Sequence, residues 1–193
     1  MKGDIKSFVF SGLLANYATK DMEASGLLRG RAVSGEERKD QDLLSSVEEN
    51  IRAGAKAMQR SFRTLFVLEN VVRSLIDARL KDKYGSNWFD SEATATAPMK
   101  GKLKDRKAKE EKNQWHTGRN KEPLFYMDFS DLAKLIVNNW TEFDDLLPTQ
   151  SWVQSRLDEA ERSRNVIAHT NILSSEEASR LEMYLRDWIK QIG

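Results

Sequence analysis

Over residues 41–83 the apolar residues Leu44, Val47, Ile51, Met58, Phe62, Leu65, Phe66, Val72, Ile76 and Leu80 recur at steps of three and four. That spacing lines one face of an α-helix, and no alternating run of useful length for a β-strand occurs in the 193 residues. The expected fold is therefore all-α. A straight helix of this length reaches about 65 Å, more than a compact bundle needs. Either a bend at Gly54 or a protruding first half is expected. Tyr84 and Gly85 close the helix, since glycine suits the left-handed residue that commonly ends one.

Capping signals divide the rest of the chain. A loop is expected over 91–98 and a short charged helix over 99–113. Ser130 is placed to cap a helix carrying Leu132, Leu135, Ile136, Trp140 and Phe143, and Pro148 marks the turn after it. Ser151 with Gln154, and Ser174 with Glu177, have capping-box spacing and open two further helices. The expected architecture is an antiparallel bundle of four to five helices over 43–193, with a basic insertion at about 91–121. Residues 1–42 form an N-terminal arm holding one short helix near 5–17.

Composition narrows the function classes. Cysteine is absent, which excludes disulfides, thiolate metal sites and a cysteine nucleophile. No apolar run approaches the roughly 18 residues of a membrane span, and residues 1–17 show no cleavage site of the secretory kind, so a cytoplasmic protein without membrane partners is expected. The net charge is only +1, yet residues 100–121 hold nine basic residues against Asp105, Glu110 and Glu111. Lys102, Lys104, Arg106 and Lys107 are the candidates there for contacts to a nucleic-acid backbone, with a solvated helix and loop as the alternative.

Two helices carry charges where their apolar stripes continue, and such residues cost stability unless paired. In one the stripe Val153, Leu157, Ala160 meets Arg164 before Ile167. In the other Phe62 and Phe66 are followed by Glu69 and Arg73, which stand in the favourable order for an intrahelical pair. Only two histidines exist, His116 and His169. Neither has a partner at metal-ligand spacing, so no metal or other cofactor is expected. Asn165 lies four residues before His169, on the same helix face, where its amide can hold the imidazole. Arg164 lies about 140° around an ideal helix from His169. The two converge only if the helix ends between them or a second copy faces the first. His116, in a loop-like run, is expected at the surface.

The run Arg164-Asn165-Val166-Ile167-Ala168-His169 resembles the signature of the HEPN superfamily, an arginine followed by a polar residue and then a histidine within a helical bundle. Two more stretches are similar to its Swt-type branch. One is Leu68-Glu69-Asn70-Val71-Val72-Arg73 with the later Tyr84-Gly85. The other is Phe125-Tyr126-Met127-Asp128-Phe129-Ser130-Asp131-Leu132 leading to Asn139-Trp140. The resemblance covers about residues 43–193. It implies a bundle that dimerises to bring two Arg/His motifs into one cleft, and commonly a metal-independent endoribonuclease acting as a toxin or antiviral-defence effector. Arg164 and His169 are then catalytic, Asn165 supports His169, and Glu69 and Arg73 support the site. The implied partners are RNA, a second copy of the chain, and a neutralising or activating protein. The alternative is a non-catalytic HEPN module that binds a nucleotide, RNA or a protein.

Overall fold

The computed structural model describes residues 43–113 and 115–193. The arm and the short helix expected near 5–17 lie outside the described residues. The chain divides into two compact units, Met1–Arg52 and Ala53–Gly193. Among the described residues the regular elements are helices, without strands: α1 (Glu49–Tyr84), α2 (Ala97–Glu111), α3 (Phe129–Asn138), α4 (Gln150–Ala168) and α5 (Ser175–Ile192). Short 3-10 turns at Trp88–Asp90, Pro123–Tyr126 and Trp140–Glu142 connect them.

Helix α1 begins at Glu49, later than its apolar spacing suggests, and runs unbroken through Gly54. The missing side chain at Gly54 leaves room for Ile172, whose Cδ1 would lie 2.7 Å from a Cβ there. The buried line of α1 is Leu65, Leu68, Val72, Ile76 and Leu80. Phe62 and Phe66, expected in that line, are 59% and 58% exposed. The reason is geometric: steps of three and four fit either of two neighbouring lines on a helix, and the two phenylalanines share theirs with Glu69 and Arg73. At the far end Gly85 takes φ +81, the left-handed closure its position predicts.

The other helices start where their caps dictate. Pro98 stands in the first turn of α2, where a missing N–H costs nothing, so it opens a helix rather than closing a loop. Helix α3 is capped by Asp128, not Ser130, because Asp128 and Asp131 form a reciprocal capping box. The Ser130 N–H donates instead to Glu161 of α4 at 2.8 Å. Trp140 and Phe143 fall beyond the end of α3, in the 3-10 turn and its cap. Thr149, not Ser151, caps α4, accepting the Trp152 N–H at 3.1 Å. Ser174 and Glu177 cap α5 as their spacing predicts.

The core gathers Leu68, Val72 and Ile76 of α1, Leu132, Leu135 and Ile136 of α3, Val153 and Leu157 of α4, and Leu181 and Trp188 of α5. Helix α3, the most apolar, packs most extensively against α4. Along the seam between α4 and α5, Trp152 and Trp188 lie 5.0 Å apart. Arg156 covers Trp152 and pairs with Asp187 at 2.7 Å.

Helix α2 is fastened by charge. Arg106 donates to Asp128 at 3.1 and 2.8 Å and also to the Tyr126 carbonyl, and Lys102 pairs with Asp131 and Asp128. Asp131 is 5% exposed, and a carboxylate that deep requires such partners. Lys102 and Arg106 therefore have a structural occupation that their place in a basic run does not reveal. Burial pushes the Asp128 carboxyl up, but the hydrogen bonds and charges of Arg106 and Lys102 outweigh it and hold it below the usual carboxylate value. A carboxylate lowered on folding adds stability above its unfolded pKa of about 3.9, and that stability is lost as pH falls through the lower folded value. Asp128→Asn keeps a good helix cap while removing the charge. It should cost about 1–2 kcal/mol at pH 7 in urea unfolding and flatten the loss of stability below about pH 4.

Candidate active site

The end of α4 carries the Arg/His pair. Arg164, Asn165 and His169 are all exposed, and the fully buried stripe of α4 stops at Ala160, with Val166 and Ile167 only partly buried against the core. Arg164 does not interrupt a core, contrary to the expectation from spacing. Ile167 continues the packing, while Arg164, one step before it, lies at the solvent boundary, a difference that spacing alone does not record.

His169 is the C-cap residue of α4, with φ −93 and ψ 19. Its N–H donates to the Asn165 carbonyl at 3.2 Å. Beyond it the Thr170 N–H reaches the Ile167 carbonyl at 2.9 Å and the Asn171 N–H reaches the Val166 carbonyl at 3.1 Å, the pair of bonds that defines a Schellman closure. Thr170 supplies the left-handed residue, at φ 58. A β-branched residue there is costly, and a local hydrogen bond offsets part of the cost: the Thr170 hydroxyl donates to the His169 carbonyl at 2.7 Å. The Asn171 amide donates to the same carbonyl at 3.2 Å. The backbone of His169 is thus pinned by two side chains that follow it, while its ring faces solvent. Thr170 and Asn171 were not among the residues expected from the sequence, although two polar residues directly after a helix end are a usable signal.

Asn165 does not hold the imidazole through its side chain. Its Oδ1 accepts from Arg164 Nη1 at 3.2 Å, and its contact with His169 is through the backbone. A shared helix face makes an encounter feasible, but the last turn bends the histidine away from the regular path. Asn165 therefore orients the arginine.

Glu69 and Arg73 pair within α1 at 2.5 Å, as their spacing predicts. Arg73 also donates through Nε to the Leu124 carbonyl at 3.1 Å, and its guanidinium lies 4.8 Å from the centre of the Phe125 ring. Burial pushes the Glu69 carboxyl up, against the cations of Arg73 and Arg164, while the Asp128 charge adds to the rise. Burial lowers Arg73, and the charge of Glu69 resists. Arg164 acts on both members of the pair, so one electrostatic cluster links the middle of α1 to the end of α4. Such a cluster can hold an anion at its exposed arginine while Glu69 limits the unopposed positive charge.

The basic segment is divided in use. Lys104 is exposed and Lys107 half-exposed, and with Lys100 they line an open groove of about 470 Å³ on α2. Lys102 and Arg106 face the acidic cap of α3 instead. Trp115 is 84% exposed and meets His116 edge-on with ring centres 5.3 Å apart, so His116 is at the surface as expected. No described helix is long and apolar enough to cross a membrane.

Comparison with known proteins agrees with this arrangement. A family model described as Swt1-like HEPN matches residues 63–193, from within α1 to the end of the chain. No curated protein and no solved structure gave a match. The match takes in both partners of the Glu69–Arg73 pair, the acidic cap of α3 and the Arg164 to His169 motif, and on that basis the chain belongs to the Swt1-like HEPN family, a group of ribonuclease-type or nucleotide-binding modules.

Proposed function

We propose that this protein is a metal-independent endoribonuclease that works as a homodimer, with Arg164 and His169 of each protomer facing one cleft. The observation that carries the reading is the exposure of both side chains at the pinned end of α4, with Arg164 in electrostatic reach of the Glu69–Arg73 pair, in a HEPN chain. An exposed imidazole held by a fixed backbone suits proton transfer near neutral pH. An exposed guanidinium, positioned by Asn165, suits a phosphate.

RNA carries its own nucleophile. A base removes the proton from the 2′-hydroxyl, the 2′-oxygen bonds to the adjacent phosphorus, and the bond to the 5′-oxygen breaks as that oxygen gains a proton. The products are a 2′,3′-cyclic phosphate and a 5′-hydroxyl. One His169 takes the first proton and its counterpart across the two-fold gives the second, while Arg164 balances the charge that develops on the phosphate oxygens. A two-fold contact supplies both histidines from one motif. The biological role we assign is that of a toxin or antiviral-defence effector, restrained by a protein partner until a signal releases it.

Backbone contacts to RNA fall to Lys104 and Lys107, since Lys102 and Arg106 are spent on α3. Lys104→Gln with Lys107→Gln should weaken RNA binding and reduce the salt slope by about 1–2 while leaving stability unchanged. Lys102→Gln or Arg106→Gln should instead lower the unfolding midpoint. Equal effects of the two pairs on binding and on stability would remove this assignment.

Light scattering at micromolar concentration should give about twice 22.2 kDa. Incubated with RNA in excess chelator, the protein should release cyclic-phosphate ends, and expression should arrest growth. His169→Ala and Arg164→Ala should each lower cleavage by at least about 10²-fold with helicity intact, and a single 2′-deoxy substitution at the cut site should block it. Binding of RNA without cleavage would return the chain to the non-catalytic alternative.

A further inference from the structure

A cavity of about 160 Å³ opens between α1 and the 3-10 turns at Trp88–Asp90 and Pro123–Tyr126. The half-buried Phe125 lines it together with Trp88 and Phe89, which are almost wholly buried, and Arg73 is the wall it shares with the Glu69 and Arg164 cluster. It has room for one planar ring system and not for a whole nucleotide. Its other polar side chains are the carboxylates of Asp77 and Glu122, the amide of Asn70 and the hydroxyls of Ser74 and Ser86. Asp77 accepts from Trp88 Nε1 through Oδ1 at 3.0 Å, and its Oδ2 accepts no hydrogen bond among the described residues. Asn70 spends its amide on the Phe66 carbonyl at 2.7 Å, which leaves its oxygen to accept.

We propose that this cavity is a guanine-selecting subsite for the RNA strand. The available Oδ2, together with the second lone pair of Oδ1, calls for a ring edge with adjacent N–H donors. Guanine presents its N1–H and its exocyclic amine side by side. Adenine and cytosine set an acceptor nitrogen beside their amine, and uracil sets carbonyls on both sides of its single N–H, so each brings lone pairs towards the carboxylate. Phe125 supplies apolar contact to the base whichever it is, and the carboxylate discriminates, the usual division of labour in recognition of unstacked RNA bases. Arg73 belongs both to the lining of this cavity and to the cluster that contains Arg164. Assignment of the base to an RNA strand rests on the nuclease reading above, whereas preference for guanine does not.

The test is titration of the full-length chain with GMP, AMP, CMP and UMP, followed by NMR. GMP should bind at least about tenfold more tightly than the other three. Asp77→Asn, which still accepts from Trp88 but turns the second atom into a donor, should reduce GMP affinity about tenfold and leave AMP unchanged. Near-UV circular dichroism reports whether Trp88 keeps its place in that variant. If the variant does not fold, nuclear Overhauser contacts between GMP H8 and the Trp88 or Phe125 ring protons decide in its place: their presence supports the subsite and their absence overturns it. Equal affinity for the four nucleotides, or a guanine preference that survives Asp77→Asn in the folded variant, also overturns it. Cleavage is not measured, so loss of the nuclease reading leaves this result standing.

Discussion

Arg73 is fixed on three sides, and much of the functional end of the molecule depends on that fixation. Its Nη2 meets Glu69, its Nε meets the Leu124 carbonyl, and Phe125 lies under its plane. A guanidinium can do this because it is planar, rigid and always charged, whereas a lysine in the same place offers a point charge and no fork. The bond to Leu124 crosses from α1 to the 3-10 turn that precedes Asp128. The cap of α3 and the carboxylates that hold α2 therefore follow in sequence from a segment tied to α1. The cost of half-burying a charge is met by hydrogen bonds and a ring contact, with Glu69 as the counter-charge.

The other fixed point is the closure after His169. Glycine is the usual residue at a left-handed helix end, and threonine there gives up backbone ease for a hydroxyl that clasps the His169 carbonyl. With the Asn171 amide on the same oxygen, the orientation of the histidine backbone no longer depends on the fraying last turn of an exposed helix.

The sequence disclosed the helices better than their limits. Periodicity found α1, and capping-box spacing found the start of α5, because both signals are local. Asp128 and Thr149 displaced Ser130 and Ser151 as caps, since several polar residues near a helix start satisfy the same pattern and the surrounding packing chooses among them. Arg164 and His169 were visible as a motif, and the Glu69–Arg73 pair as a spacing. The partner of Asn165 was not, because spacing places it beside both Arg164 and His169. The occupation of Lys102 and Arg106 was hidden for a different reason: their counter-charges at Asp128 and Asp131 lie more than twenty residues away, where a local charge count assigns no partner.

Glu69 explains how an exposed arginine can belong to a self-facing site. In the proposed dimer two copies of Arg164 approach one another, and two unopposed cations in a partly desolvated cleft repel strongly. A carboxylate shared with Arg73 and felt by Arg164 lowers that repulsion without occupying the exposed guanidinium. Burial pushes the Glu69 carboxyl up, and the cations of Arg73 and Arg164 oppose that rise. An arriving phosphate then meets a cluster whose net charge is moderate and whose geometry is set. In the proposed site a phosphate therefore binds by adding to a balanced group rather than by quenching a strained one, and its release after the proposed cleavage is correspondingly easier.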